Sequence, residues 1–275
     1  MPESSTDAAP QRRLALVTGA SAGIGEALAR AYAARGLDVA LTARRADRLH
    51  ALADEIRAEH GVETLVIPAD LSAWEAHVEI LGAVAAAGRH VDVLVNNAGF
   101  GVAQTFTAAP WSRQRDFLMT LVVNACGLAY GVIPGMTERR WGRIVNIASL
   151  AAFVPGAAGH TLYPGAKSFA VKFSQSLDAE LRDKGILVTA VCPGFTRTEF
   201  AEASGTQELM DQAPRRFWQT AEDVAAAAIA ANERGKVVEI TGWHNKLAAF
   251  LLRLTPEAIV IAAIKRGASK YQLKD

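Results

Sequence analysis

The sequence predicts an α/β fold, a single doubly wound domain around a seven-stranded, mainly parallel sheet. Short apolar and β-branched runs alternate with longer Ala-rich stretches along the chain. The length of 275 residues is enough for one large domain with a generous core. The runs predicted as strands are Leu14–Thr18, Val39–Thr42, Thr64–Ile67, Val91–Val95, Arg143–Ile147, Leu187–Val191 and Val237–Ile240.

The segments between the strands have the spacing of amphipathic helices. In GEALARAYAARG (25–36) and SFAVKFSQSLDAELRDKG (168–185), apolar residues recur three to four positions apart, and each segment ends at Gly, a frequent helix stop. No fixed-period repeat, low-complexity tract or Pro/Ser-rich linker divides the chain. We expect a disordered lead-in over 1–12, the α/β domain over 13–242, and an apolar helical extension of the same domain over 243–275.

The composition points to a protein that binds small molecules in a reducing compartment. Lys and Arg total 29 against 28 for Asp and Glu, a formal net charge of +1, so no basic field favours nucleic acid. Cys126 and Cys192 are the two cysteines, and their spacing suits neither zinc nor a disulfide framework. The polar N-terminus lacks the apolar segment of a signal peptide. We expect a cytoplasmic protein with free thiols.

The first predicted strand runs into a glycine-rich loop, TGASAGIG (18–25), and then into a helix. This is the context of a loop that cradles phosphate. Gly19 permits a sharp turn, while Gly23 and Gly25 let backbone N–H groups and the helix N-terminus approach a pyrophosphate. The GxxxGxG spacing differs from the commoner GxGxxG fingerprint. For the loop taken alone, an ordinary Gly-rich turn is therefore the alternative.

Further candidate residues follow the later strands in a fixed order. They are Asp70-Leu71, Asn96-Asn97-Ala98-Gly99, Ser149, Tyr163 with Lys167, and Pro193-Gly194. The carboxyl ends of parallel strands share one edge of the sheet, where ligands bind. Together with the glycine-rich loop, this order resembles the short-chain dehydrogenase/reductase family from Leu14 to Val238. Within this family, the chain resembles the DltE-like branch of NADP-dependent oxidoreductases in three segments, LTARRADRL, CPGFTRTEF and the apolar tail.

The resemblance implies a Rossmann-type fold and an oxidoreductase that interconverts a carbonyl and an alcohol. It implies four catalytic residues, Asn124, Ser149, Tyr163 and Lys167. Ser149 would form a hydrogen bond with the substrate oxygen, and Lys167 would also hold the cofactor ribose. Asn124 would support a water that links the lysine to solvent. A satisfied helix asparagine is the alternative for Asn124. The expected cofactor contacts are Gly19, Ser21, Gly23, Ile24, Gly25, Arg44, Arg45, Asp70, Leu71, Asn97, Ala98, Gly99, Tyr163, Lys167, Pro193, Gly194, Thr196 and Thr198. The resemblance implies no metal, and a homodimer or homotetramer.

The stretch LYPGAK (162–167) gives a physical reason for the role of the tyrosine. If a helix begins just after Tyr163, Pro164 lies in its first turn, where the missing N–H costs nothing. Tyr163 and Lys167 then face the same side of the helix. A nearby ammonium favours the phenolate, whose usual pKa is about 10. We expect Tyr163 to be the general acid/base, and a surface pair at helical spacing is the alternative.

The end of the second strand predicts the cofactor. Enzymes that prefer NAD place an acidic residue there to bind the ribose hydroxyls. Here Ala43 occupies that position, and Arg44 and Arg45 follow it. A guanidinium suits a 2′-phosphate in shape and charge, so we expect NADP(H), with Arg44 the stronger candidate and Arg45 free to stack on adenine or face water. Two arginines that merely solvate a loop are the alternative.

The substrate is less determined. Phe100, Phe153, Phe195 and Phe200 suggest an apolar pocket, although they could equally be core residues, and a loop His160 is more typical of a solvated or capping residue than of a substrate contact. Specificity is expected in residues 195–220 and in the tail. A 3-oxoacyl-type reductase and a non-catalytic NADP-binding protein stay open as alternatives.

The stretch KLAAFLLRLTPEAIVIAAIKR (246–266) is strongly apolar. Arg253, Pro256 and Glu257 interrupt it, so it lacks the about 20 consecutive apolar residues of a membrane span. The pattern predicts two short amphipathic helices that cover the substrate pocket or a subunit interface. Peripheral attachment to a membrane is the alternative.

Overall fold

A computed structural model describes residues 11–102, 104–156, 161–205 and 214–268. Its sheet has seven parallel strands in the order β3-β2-β1-β4-β5-β6-β7. The strands are β1 (Leu14–Thr18), β2 (Asp38–Ala43), β3 (Thr64–Pro68), β4 (Val93–Asn96), β5 (Gly142–Ile147), β6 (Ile186–Cys192) and β7 (Val238–Ile240). The seven predicted strands are confirmed to within two residues at each end.

Helices cover both faces of the sheet. They are α1 (Gly23–Ala33), α2 (Ala46–His60), α3 (Ala76–Ala86), α4 (Trp111–Leu118), α5 (Asn124–Glu138), α6 (Tyr163–Leu181), α7 (Phe200–Ala203), α8 (Ala221–Glu233), α9 (Trp243–Leu254) and α10 (Glu257–Ala268). Helices α1, α2 and α8 pack on one face, and α3, α5 and α6 pack on the other. This is the expected doubly wound Rossmann-type fold.

The position of β1 fixes where a ligand can bind. β1 pairs with β2 on one side and with β4 on the other, so the chain order reverses at β1 and leaves a crevice at the carboxyl ends of these strands. Every residue of β1, β2 and β4 is buried because helices cover both faces. The same burial explains why these strands are continuous apolar runs in the sequence.

A π-helical turn, Met119–Val123, joins α4 and α5 into one helical run of 28 residues. In the described part of the chain this run alone is long and apolar enough to cross a membrane by length and composition. Leu128, Val132 and Met136 of α5 are nevertheless buried against the sheet. The run therefore has the packing of a core helix.

The two helices predicted in the C-terminal extension are confirmed as α9 and α10. Helix α9 buries Asn245 and Ala249 on one side. Its opposite side carries an exposed apolar stripe of Trp243, Leu247, Phe250, Leu251 and Leu254. The predicted disordered lead-in lies almost entirely outside the described residues, which begin at 11.

Candidate active site

The carboxyl ends of β1 and β4 are fastened to each other by Thr18 and Asn97. The Thr18 hydroxyl accepts hydrogen bonds from the backbone N–H of Asn97 at 2.9 Å and of Ala98 at 3.0 Å. The Asn97 side-chain amide donates to the Thr18 carbonyl at 2.8 Å. Gly19 has a φ of +66°, and a Cβ there would lie 2.8 Å from the same amide nitrogen. The close approach of the two loops therefore requires glycine at this position.

The N-terminus of α1 is open to a ligand. The helix begins at Gly23, and its N-cap residue, Ala22, makes no side-chain hydrogen bond to the first turn. A Cβ on Gly25 would lie 2.5 Å from the Asn97 amide nitrogen, so no side chain fits here either. The first N–H groups of the helix and its dipole are therefore available to an anion, and the predicted loop fits a pyrophosphate.

Ser149, Tyr163 and Lys167 come together at the carboxyl end of β5. Helix α6 begins at Tyr163 with Pro164 in its first turn, which confirms the predicted reason for Pro-Gly in this stretch. The Lys167 Nζ donates to the Ile147 carbonyl at 2.8 Å and lies 5.6 Å from the centre of the Tyr163 ring. The Ser149 hydroxyl accepts from the Ala151 N–H at 3.1 Å, and its interaction with the nearby Tyr163 phenol acts to lower the pKa of that phenol. The structure thus brings these three predicted catalytic residues together.

Burial controls the ionisation of this group. It raises the pKa of Tyr163 to about 12, against the smaller effect of the hydrogen bond with Ser149. It also lowers the pKa of Lys167 to about 8, against the attraction of Cys192. We expected the lysine to favour the phenolate, but here the desolvation of the phenolate is the larger effect. Tyr163 therefore holds its proton at neutral pH, which is the form a general acid needs.

Asn124 is buried directly after the π-helical turn, and four contacts occupy its side chain. Its Nδ2 donates to the carbonyls of Leu71 and Ala73, both at 2.9 Å. Its Oδ1 accepts from the His77 backbone N–H at 3.1 Å and lies 2.7 Å from the His77 Nδ1. The side chain thus joins α5 to the segment after β3. Its predicted support of a water beside Lys167 stays a prediction.

A family model described as short chain dehydrogenase matches residues 13–209. An uncharacterized oxidoreductase of Myxococcus xanthus is 33% identical over 254 residues, which is 92% of this chain and 97% of that protein.

The chain belongs to the short-chain dehydrogenase family.

Two further similarities concern the cofactor of relatives. The NADP-dependent 3-hydroxy acid dehydrogenase YdfG of Salmonella typhi is 38% identical over 192 residues, 68% of this chain and 75% of that protein. A solved short-chain dehydrogenase from Sphingobium yanoikuyae in complex with NADPH has a TM-score of 0.77 at 29% identity. The match covers 96% of this chain and 98% of that one.

A small cavity with a mainly apolar lining and a few polar side chains lies beside Lys167 in this short-chain dehydrogenase. It measures ≈ 30 Å³ and is lined in part by Lys167, Asn96 and Asn146. The Asn96 Nδ2 donates to the Asn146 Oδ1 at 2.9 Å, whereas the Asn96 Oδ1 has no hydrogen-bond partner in the described part of the chain. A cavity of this size is large enough to hold water, and the free Asn96 Oδ1 gives it one polar partner. Thr120 and Ala125, neighbours of Asn124, also line it.

Aromatic rings surround the Tyr163 side chain. The ring centre of Phe200 lies 5.9 Å from that of Tyr163, and the ring centre of Phe117 lies 6.4 Å from it. Phe100 packs edge-on against Phe117 at 5.8 Å. The predicted Phe100 and Phe200 therefore lie at the site. Phe195 instead packs on Trp218, Phe153 lines a groove beside α9 and α10, and His160 lies outside the described residues.

The two arginines after β2 differ in their contacts. Arg45 donates to the Ser21 hydroxyl at 3.1 Å from Nε and at 3.0 Å from Nη2. Arg44 is exposed and makes no side-chain hydrogen bond or ion pair within the described ranges. Of the two expected contacts, Arg45 is the one that reaches the glycine-rich loop, because it leads into α2 and turns back toward Ser21. The predicted ranking of the two arginines as partners of a 2′-phosphate stays a prediction.

The remaining predicted cofactor residues lie along the same edge of the sheet. The Asp70 carboxylate accepts from the Ser72 N–H at 2.9 Å, and Leu71 is buried beside it. Gly99 follows β4, and the Pro193 carbonyl accepts from the Leu150 N–H at 2.9 Å. Beyond Pro193, the Gly194 carbonyl accepts from the Thr196 hydroxyl at 3.1 Å. Thr198 lies against Gly23, and Asn245 of α9 lies against Gly194.

Sequence reasoning missed three residues of this region, namely His77, Phe117 and Glu199. Phe117 precedes Asn124 by seven residues, a spacing that a continuous helix would have placed on one face. His77 lies 47 residues from Asn124, and Glu199 lies 154 residues from its partner Arg45. No sequence pattern marks contacts over such separations.

Proposed function

We propose that this short-chain dehydrogenase is an NADP(H)-dependent oxidoreductase that interconverts a ketone or aldehyde and its alcohol, with Tyr163 as the general acid/base. The observation that carries the proposal is the convergence of the partly buried Ser149 and Tyr163 with the buried Lys167, next to a loop that fits a pyrophosphate. A partly buried tyrosine with a hydroxyl and an ammonium beside it is equipped to move one proton to or from a substrate oxygen.

NADP(H), when bound, supplies or accepts the hydride at the carbonyl carbon. In the direction of reduction, Tyr163 donates its phenolic proton to the substrate oxygen, and in oxidation it takes the proton back. The Ser149 hydroxyl orients the same oxygen. The Lys167 ammonium stabilises the phenolate left after proton transfer, and it would hold the ribose hydroxyls of the cofactor.

The preference for NADP(H) follows from the end of β2. Ala43 stands where an acidic residue would accept the ribose hydroxyls of NAD, and the first carboxylate after it is Asp47. Arg45 already lies on Ser21 of the glycine-rich loop, and Arg44 is free to turn toward a phosphate. The names of the Salmonella and Sphingobium relatives, which include NADP and NADPH, support the same cofactor.

The aromatic rings around Tyr163 suit an apolar carbonyl substrate. A second candidate is a 3-oxoacyl-type reductase, and one contact favours it. The Arg113 guanidinium lies 4.1 Å from the centre of the Phe100 ring, which places a cation at the edge of the aromatic site. Such a cation suits a substrate with an acidic end, and the Salmonella relative is named for 3-hydroxy acids.

A substrate panel tests the function. Ketones, aldehydes, secondary alcohols, 3-hydroxy acids and 3-oxoacyl thioesters are offered with NADPH or NADP, and turnover is followed by the absorbance of the reduced cofactor. We expect turnover of at least one apolar carbonyl. Selective turnover of 3-oxoacyl compounds would favour the second candidate. NADPH binding without turnover of any compound would favour a non-catalytic NADP-binding protein.

The C-terminal extension is proposed to cover the substrate pocket or a subunit interface. Its helix α9 contacts the site edge through Asn245 and leaves its apolar stripe exposed. If the full chain sediments with liposomes, and a chain truncated after Thr241 stays folded, active and in solution, the extension is a membrane contact instead. Membership of the DltE-like branch, a cytoplasmic location and a homodimer or homotetramer stay predictions.

A further inference from the structure

The segment Thr196–Ser204, here called the substrate loop, places an acidic side chain on two arginines of the cofactor side. One oxygen of the Glu199 carboxylate lies 2.7 Å from the Arg45 Nη1, and the other lies 2.6 Å from the Arg48 Nη1. The partners are separated by 154 and 151 residues. Each carboxylate oxygen thus binds its own guanidinium, and these two ion pairs join the substrate loop to the start of α2.

Arg45 has a second partner at the same time. Its Nε and Nη2 donate to the Ser21 hydroxyl, and its Nη2 also lies 3.3 Å from the Ser21 carbonyl. The guanidinium therefore contacts the glycine-rich loop with one edge and Glu199 with another. Hydrogen bonds from Arg48 and Arg45 lower the pKa of Glu199, so it is a carboxylate at neutral pH.

The same substrate loop covers the catalytic tyrosine. Phe200, next to Glu199, packs on Tyr163 with ring centres 5.9 Å apart. The Ser204 hydroxyl accepts from the buried Gly101 N–H at 2.7 Å. Because Glu199 and Phe200 are adjacent, the two ion pairs of the carboxylate tether the residue next to the ring that packs on Tyr163.

We propose that Glu199 is a latch: without cofactor its carboxylate takes the place of the 2′-phosphate on Arg45 and Arg48 and holds the substrate loop over Tyr163. A ligand with a 2′-phosphate competes for these guanidinium groups and releases the loop, whereas a ligand without this phosphate leaves the latch in place. The proposal rests on the proposed NADP(H) function. It adds a residue of the substrate loop that couples cofactor choice to access to the site.

The expected effect is modest because the three side chains are partly exposed, at 41% for Arg45, 46% for Arg48 and 47% for Glu199. Exposed ion pairs are weak and screened by salt. Loss of the latch should therefore change affinities and opening rates by about two- to fivefold, and less at high ionic strength.

The binding test compares Glu199→Gln with Glu202→Gln, which removes the same charge from the same loop at an exposed residue. Calorimetry measures the Kd of adenosine 2′,5′-bisphosphate and of 5′-AMP. We expect Glu199→Gln to bind the bisphosphate about two- to fivefold tighter and 5′-AMP as wild type does. If Glu202→Gln binds the bisphosphate tighter by the same factor, the gain in affinity comes from the lost negative charge alone, and the latch is overturned.

Amide hydrogen exchange of residues 196–204 gives a readout without cofactor. We expect faster exchange in Glu199→Gln, and in wild type after addition of the bisphosphate but not of 5′-AMP. If exchange is unchanged in Glu199→Gln and the protein still prefers NADPH, the latch is overturned and the proposed NADP(H) function stands. If wild type binds NADPH and NADH with equal affinity, the cofactor assignment is overturned, and so is the proposed competition of the 2′-phosphate with Glu199.

Discussion

The cofactor side and the substrate side of the cleft are held together in different ways. On the cofactor side, the ends of β1 and β4 are joined by Thr18 and Asn97, and close backbone approach excludes a side chain at Gly19. On the substrate side, single side-chain contacts such as that of Ser204 with Gly101 fix the loop. Backbone contacts thus hold the cofactor side, whereas the loop on the substrate side is held by individual side chains, namely Ser204 on Gly101 and Glu199 on Arg45 and Arg48.

The largest expected effect tests the residue that both sides share. Tyr163→Phe keeps the ring that packs against Phe117 and Phe200 but removes the proposed proton donor. Turnover should fall by at least about 10²-fold, while NADPH binding changes little. A rate assay and a fluorescence titration with NADPH check this. More than about a tenth of the wild-type rate in the variant would refute the role of the phenol.

The second prediction concerns Arg45 on the cofactor side, which also pairs with Glu199 of the substrate loop. Arg45→Ala should weaken NADPH binding by about 10- to 100-fold, because a charged hydrogen bond to phosphate contributes about 1.5–3 kcal/mol. NADH binding should change less than about twofold, since NADH lacks the phosphate that the guanidinium is proposed to bind. Dissociation constants for both cofactors check this asymmetry. Arg44→Ala is the matched variant, and a larger loss of NADPH affinity in it would bear out the ranking that the sequence suggested.

The sequence was informative wherever one local element carries the signal. Tyr163 and Lys167 belong to one helix, so their spacing alone predicted that they share a face. Gly19 could be assigned to a sharp turn because only a strand, a loop and a helix were needed to interpret it. The strands followed from their apolar runs, since both faces of a parallel sheet are buried.

The sequence was uninformative wherever a contact depends on the folded arrangement. His77 meets Asn124 because α3 packs on α5, and Glu199 meets Arg45 because the substrate loop bends over α2. The π-helical turn lies between Phe117 and Asn124 and changes the number of residues per turn there. Their spacing of seven residues therefore does not predict whether the two side chains share a face of the helix. Which of Arg44 and Arg45 reaches Ser21 depends on the entry into α2. The pKa of Tyr163 depends on burial, which a spacing does not give.

The third prediction concerns stability on the cofactor side. Burial lowers the pKa of Lys167 from 10.5 to about 8, so the charged lysine destabilises the folded state at neutral pH. Lys167→Met should abolish activity yet raise the free energy of unfolding at pH 7 by roughly 1–2 kcal/mol, after the cost of leaving the Ile147 carbonyl unpaired.

The sign of the pH dependence follows from the lowered pKa. Below about pH 8 both folded and unfolded wild type hold the proton, and the penalty is complete. As the pH rises toward 10.5 the folded state has lost the proton while the unfolded state still holds it, so wild type gains stability and the advantage of Lys167→Met shrinks. Urea unfolding at pH 7 and pH 9.5 checks this, with the exposed Lys172→Met of the same helix as control. A constant difference between these pH values would contradict the assignment.

The smallest expected effect concerns the substrate side, and it tests whether the substrate loop can be changed without a change in cofactor binding. Ser204→Ala removes the acceptor of the buried Gly101 N–H. An unpaired buried donor costs about 1–3 kcal/mol, but the loop can shift to let water reach the N–H, so we expect the lower end of that range. Loss of this hydrogen bond loosens the loop over Tyr163 and leaves the glycine-rich loop unchanged.

The KM of the carbonyl substrate for Ser204→Ala should rise about three- to tenfold, while the NADPH Kd stays within about twofold of wild type. Steady-state kinetics and a cofactor titration separate the two quantities, and Ser176→Ala, an exposed serine of α6, is the control. An equal loss of NADPH affinity would show that the two sides are one mechanical unit, and the contrast between them would fail.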